Sequence, residues 1–157
     1  HVTALAYAGF RITKPQAHLY AFCDITRFAE FKERLTEAGW DCFRTPIIWH
    51  KPNGSRTPWV DGGPQRKFEI ILYARKGKKL VTKIFPDLVT YPADENLGHN
   101  AQKPVGLFTD LLKRSCSPGD AALDPFCGSG PIFPAASSLV RPGSRRPVAP
   151  NATIMGR

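Results

Sequence analysis

The chain predicts an α/β fold built on a mixed sheet, and three observations carry that prediction. A short apolar run, Ala121-Ala122-Leu123, feeds the glycine turn Asp124-Pro125-Phe126-Cys127-Gly128-Ser129-Gly130, and the helix start Pro131-Ile132-Phe133-Pro134-Ala135-Ala136 follows it. Strand, glycine turn and helix in that order let backbone approach a ligand closely. Upstream, an almost wholly apolar strand over 17–23 leads into an amphipathic helix. Finally, strand-like runs at 40–49 and 68–74 follow one another with no helix between them, so they should pair antiparallel.

Taken in order, residues 1–16 are short and mixed, with a turn at Lys14-Pro15. Ala17–Cys23 reads as a strand covered on both faces. Asp24 or Thr26 can cap the next helix, which carries Phe28, Phe31, Leu35 and Ala38 on one side at spacings of three and four. Glu30 and Arg34 are placed to pair on its wet side, and Gly39 ends it. Residues 40–49 form the second strand, with Pro46 demanding an edge or a bulge. Loop 50–66 is rich in proline, glycine and basic residues, and 68–74 is the third strand. Residues 76–98 are polar, led by lysines and without a clear period. Pro104 opens a helix with Val105, Phe108, Leu111 and Leu112 facing inward, and Pro118-Gly119 turns the chain into the strand 121–124. Beyond Asp124 there is no further acidic residue, while Arg141, Arg145, Arg146 and Arg157 follow. Residues 141–157 therefore read as an irregular basic tail behind one domain over 1–140.

Composition bounds the function. At 157 residues the chain can bury one core. A net charge of +9 and a pI near 9.7 favour a polyanionic partner, of which nucleic acid is the commonest. The cysteines, Cys23, Cys42, Cys116 and Cys127, lack metal-ligand spacing and have no histidine near enough to complete a zinc pattern. They read as reduced thiols of a cytoplasmic protein. No apolar run reaches the roughly 18 residues that span a membrane. The sequence starts at His1 rather than Met, so the natural N-terminus is expected to lie further upstream.

The glycine turn is neither of the commonest nucleotide loops. No Lys-Ser or Lys-Thr follows it, so it is not a phosphate-binding Walker loop. A dinucleotide fingerprint would need glycine where Phe133 stands, and an acidic residue about 20 positions on to hold a ribose. Its surroundings are more specific. His99-Asn100-Ala101-Gln102-Lys103-Pro104-Val105, an amphipathic helix, Ser117-Pro118-Gly119-Asp120 and Leu123-Asp124-Pro125-Phe126-Cys127-Gly128-Ser129-Gly130 follow one another. This combination resembles the amino-methylating DNA methyltransferases, which modify adenine N6 or cytosine N4, in the permuted branch where the catalytic half precedes the cofactor half. Ala17–Asp24, Gly39-Trp40 and the run Ile47-Ile48-Trp49-His50-Lys51-Pro52-Asn53 resemble the strands that follow the family's catalytic motif. Glu69–Gly77 resembles the hairpin strand that closes its sheet, and the likeness covers about residues 10–136.

The resemblance implies a Rossmann-like methyltransferase fold, S-adenosylmethionine (SAM) as cofactor and double-stranded DNA as partner. Phe126, Gly128 and Gly130 match the turn beneath SAM, and Asp124 matches the acid that opens it. Lys103 and Pro104 match the segment beside the methionine part of the cofactor, with His99 and Gln102 close by. Lys51, Arg56 and Arg66 in one loop, and Lys76, Lys78, Lys79 and Lys83 in the next, fall where the family faces DNA. Lysines there would mainly meet phosphates. The reaction implied is direct attack of a base amine, adenine N6 before cytosine N4, on the methyl group, with no covalent enzyme intermediate. No Pro-Cys nucleophile is indicated.

Two departures stand out. The family aligns its amine with an Asp/Asn/Ser-Pro-Pro-aromatic motif, and this sequence contains none. The motif and its central strand are therefore expected upstream of His1, no catalytic residue is assigned, and the chain is expected to be a C-terminal fragment, inactive alone. The family also places an acid after the next strand to accept the ribose hydroxyls, where this tail offers only Asn151.

Overall fold

The computed structural model describes residues 2–53, 64–93 and 103–139, and the backbone of 152–156. Four helices and seven strands are described: α1 (Val2–Ile12), β1 (Ala17–Cys23), α2 (Phe28–Glu37), β2 (Asp41–Cys42), β3 (Ile47–His50), β4 (Phe68–Lys76), β5 (Leu88–Thr90), α3 (Val105–Ser115), β6 (Ala121–Leu123), α4 (Ile132–Leu139) and β7 (Ala152–Gly156). The sheet order is β5-β3-β4-β1-β7-β6, with β2 also on β4. β4 runs antiparallel to β1, β2 and β3, whereas β3 with β5, β1 with β7 and β6 with β7 are parallel. β4 is thus the one reversed strand among those described.

Alternation along the strands builds two cores. Tyr20, Phe22, Ile71, Ile47 and Trp49 face α3 and α4, packing against Leu107, Phe108, Leu111, Leu112, Ile132 and Ala135. Leu19, Ala21, Leu72 and Ala74 point the other way, to Val2, Leu5 and Ala6 of α1, to Phe31 and Leu35 of α2, and to Trp40. A strand with both faces covered must be apolar throughout, and β1 is buried along six of its seven residues.

The predicted elements are present, with local differences. Asp24 caps a 3-10 turn over Ile25–Arg27 that leads into α2, accepting from the Thr26 amide at 2.9 Å. The expected Glu30–Arg34 pair is replaced by Arg27–Glu30 and Arg34–Glu37, each at 3.0 Å. Arg27 lies three residues from Glu30 and meets both carboxylate oxygens with its planar fork, a geometry that wins over a single contact. Gly39 ends α2 at φ +102°. The predicted strand 40–49 is split into β2 and β3: Cys42 pairs with Ala74 and Ile47 with Ile71, so four residues including Pro46 bulge opposite two. Proline has no amide to give the ladder.

Three elements were not legible. α1 occupies residues read as mixed, with Val2, Leu5, Ala6 and Gly9 forming its buried stripe. β5 lies in the lysine-led stretch, where three residues are too few to show a period. Ala152–Gly156, inside the segment read as an irregular tail, is a strand between β1 and β6. Among the described residues no helix is long and apolar enough to cross a membrane, and no group of acidic, histidine and cysteine side chains could hold a metal.

Candidate functional site

The register places the chemistry on one edge of the sheet. Cys23 pairs with Ile70, and Trp49 and His50 pair with Glu69 and Phe68, so the ends of β1 and β3 lie beside the start of β4. β6 is parallel to β7 and β7 to β1, so the turn that leaves β6 emerges from this same edge. Ligands in open α/β sheets bind outside the carboxyl ends of the parallel strands.

The turn itself is tightly built. The Phe126 amide bonds the Asp124 carboxylate at 3.0 Å, and the Gly130 amide bonds the Cys127 carbonyl at 2.7 Å. Gly128 and Gly130 have φ of +52° and +75°, a region that side-chain-bearing residues avoid. They differ in their surroundings. A Cβ on Gly130 would stand 2.8 Å from the Phe133 ring, whereas one on Gly128 would meet nothing nearer than the Phe126 carbonyl at 3.9 Å. The space over Gly128 is open, and Phe126 within the turn and Phe133 against Gly130 are 39% and 66% exposed.

Lys103 and Pro104 stand on the same edge. Lys103 Nζ donates to Glu69 Oε2 at 2.5 Å and lies 5.4 and 5.3 Å from the ring centres of Phe22 and Trp49. Lys51 Nζ donates to Glu69 Oε1 at 3.1 Å, so one carboxylate joins two ammonium groups. Burial works to raise the Glu69 carboxyl, but the Lys103 ammonium, with Lys51 behind it, outweighs burial and holds it below its usual range. Pro104 caps α3, while the glycine turn opens α4, and the two helices pack together on one face. The edge is braced further by the Trp49 indole, donating to the Tyr91 carbonyl at 2.8 Å, and by the Asn53 amide, which exchanges two hydrogen bonds with Ala93.

The predicted site residues thus divide. Asp124, Phe126, Gly128, Gly130, Lys103 and Pro104 share one edge, joined there by Lys51 and by Arg66, which pairs with Asp24 at 2.8 Å. Lys76, Lys78 and Lys79 do not join them. β4 runs against the other strands, and Lys76 pairs with Ala17 at the start of β1, so these lysines leave the sheet at the opposite edge. Lys76 Nζ there donates to the carbonyls of Phe10 and Thr13 at 2.5 and 2.9 Å, tying down the end of α1. Lys79 pairs with Asp120 at 3.5 Å. His99, Gln102, Arg56 and Asn151 lie outside the described residues. Glu69 was missed as a site residue. Its signal was a lone acid near the start of an apolar strand, and that identifies no partner.

Residues 79–142 match the family model described as DNA methylase, a stretch that includes α3, β6, the glycine turn and α4. The chain resembles the crystal structure of M1.HpyAVI in complex with SAM at 20% identity and a TM-score of 0.70, covering 99% of this chain and 73% of that one. A second M1.HpyAVI structure gives 20% identity, a TM-score of 0.69, and 99% and 72% coverage. TTHA0409 from Thermus thermophilus, a candidate DNA modification methylase, gives 18%, 0.59, and 99% and 70%. No curated protein matches the chain. At these identities the likeness establishes the fold, which is the Rossmann-like arrangement of these methylase structures.

Proposed function

We propose that this chain is a member of the amino-methylating DNA methylases and forms the cofactor half of an enzyme methylating a base amine in duplex DNA. SAM is the donor in this reading, and adenine N6 is favoured over cytosine N4. The observation that carries it is the shared edge: the glycine turn with open space over Gly128, and Lys103-Pro104 at the head of the helix packed beside it. These residues fit the group. Gly128 leaves room where a nucleoside would lie, Gly130 keeps the turn tight, and Asp124 braces it through the Phe126 amide. Lys103, anchored by Glu69 over Trp49 and Phe22, would flank the amino-acid end. Bound SAM would supply an electrophilic methyl group for in-line attack by the amine. Lys51 and Arg66 lie on the same edge, and in this reading they would meet DNA phosphates.

One observation favours a second reading for the chain by itself. It contains no Asp/Asn/Ser-Pro-Pro-aromatic motif to hold the amine, and on that reading it binds DNA and cofactor without transferring methyl. Saturation-transfer NMR tests the cofactor assignment, and methyl transfer separates the two readings. SAM is expected to bind weakly, on the order of 100 µM or more, and the signal should vanish with Gly128→Asp. Equal signals in both proteins would overturn the cofactor assignment. Tritium from labelled SAM is expected to enter duplex DNA no faster with this chain than with Gly128→Asp; incorporation above that control would eliminate the second reading.

A further inference from the structure

Among the described residues, a group of exposed basic side chains gathers away from the glycine turn. At the opposite edge the end of α1, the loop after β4, the end of α3 and the start of β6 converge. The Lys76 ammonium holds the end of α1, the Lys79 carbonyl lies 3.2 Å from His18 Nε2, and the Thr82 amide donates to the Arg114 carbonyl at 2.7 Å. These contacts bring exposed Arg11, Lys14, Lys78, Lys83 and Lys113 to one side of the molecule. Two acids at this edge are already engaged, Asp120 by Lys79 and Asp41 by Arg75. A cavity of about 290 Å³ lined by Lys14, Pro15, Gln16 and Lys79 opens between them. Leu80 and Ile84 project beside the lysines, 79% and 91% exposed.

Exposed like charges gathered on one side repel one another and favour contact with a polyanion. The two edges lie at opposite ends of β1, whose seven residues span about 23 Å. They face opposite directions, so a duplex lying on the glycine-turn edge does not touch this one.

We propose that this edge is a second duplex-binding surface, separate from the cofactor edge, which holds DNA through phosphates without reading sequence. The lysine ammonium groups that make up most of this set are point charges suited to phosphate contact, which fixes position without reading sequence. A protein with both surfaces holds two duplex segments at once. The inference needs only the charge and its placement, so it stands independently of methyl transfer.

The test is a salt titration of binding to a short random-sequence duplex. Lys14→Glu/Lys78→Glu/Lys83→Glu should flatten the log–log salt slope by about 2.7, at about 0.9 for each phosphate no longer neutralised, and weaken binding at least tenfold. The SAM signal in saturation-transfer NMR should not change, which keeps failure here distinct from failure of the cofactor assignment. In the wild-type chain, which needs no variant to fold, duplex should protect Lys78 and Lys83 from amine acetylation. Unchanged slope together with unprotected lysines would overturn the proposal. So would capture by phosphatidylserine vesicles at a salt concentration where no duplex binds.

Discussion

The Glu69 carboxylate accepts from Lys103 at 2.5 Å and from Lys51 at 3.1 Å, with all three side chains less than a third exposed. Two loops far apart in sequence are thereby fastened to the start of one strand. Glu69→Gln would leave two ammonium groups facing a neutral amide and should cost about 1–3 kcal/mol, read as a fall in the urea midpoint. If Lys103 is held for the cofactor, SAM binding should weaken further than stability does. The charge-swapped pair Glu69→Lys/Lys103→Glu should recover part of the stability; no recovery would show that the pairing is incidental.

Gly128 and Gly130 should respond differently to alanine. Gly130→Ala combines a positive φ with a clash against Phe133, so it should destabilise by more than the roughly 1 kcal/mol expected of backbone strain alone. Gly128→Ala meets open space and should show only the strain. Equal losses of thermal stability would mean that the turn's glycines serve the backbone alone.

His18 makes stability depend on pH. It is fully buried, its Nδ1 2.7 Å from Ser115 Oγ and its Nε2 3.2 Å from the Lys79 carbonyl. With the Nε2 proton on that carbonyl, Nδ1 accepts from Ser115, whose oxygen accepts from Tyr20 at 2.6 Å. Burial, against a raising contribution from the Lys79 carbonyl and with help from the charges of Lys79 and Arg75, lowers the His18 pKa to about 4 from 6.5. The native state then binds fewer protons than the unfolded chain between these values. The contribution is fully present above about pH 6.5 and fades as pH falls toward 4, by on the order of 3 kcal/mol. Glu69, depressed instead, adds its own loss only further into acid. Urea unfolding from pH 7 to 4 should show a shallower decline in His18→Gln than in the wild type; matching slopes would refute this account.

Arg114 offers a gain. It is 5% exposed, lies 4.3 Å over the Phe85 ring, and its Nε and Nη2 make no hydrogen bond among the described residues. A buried charge without compensating bonds is worse than an apolar side chain of similar length. Arg114→Met should raise stability by about 1–2 kcal/mol, measured as a higher melting temperature. A lower one would show that the guanidinium is satisfied after all.

What the sequence determined by itself was local. β1, α3, the Gly39 stop and the strand–turn–helix at Asp124–Gly130 are each set by residues within a few positions of one another. Capping, periodicity and glycine's conformational reach act at that range. The bulge at Pro46 was legible for the same reason: a missing amide is a property of one residue. The tertiary structure alone decided which edge each charge occupies. Reversal of β4 carries Lys76, Lys78 and Lys79 away from the glycine turn while leaving Glu69 beside it, and only the strand pairing reveals that. It also set β7 between β1 and β6. Those placements rest on hydrogen bonds between backbone groups dozens of residues apart, and no short window of sequence encodes them.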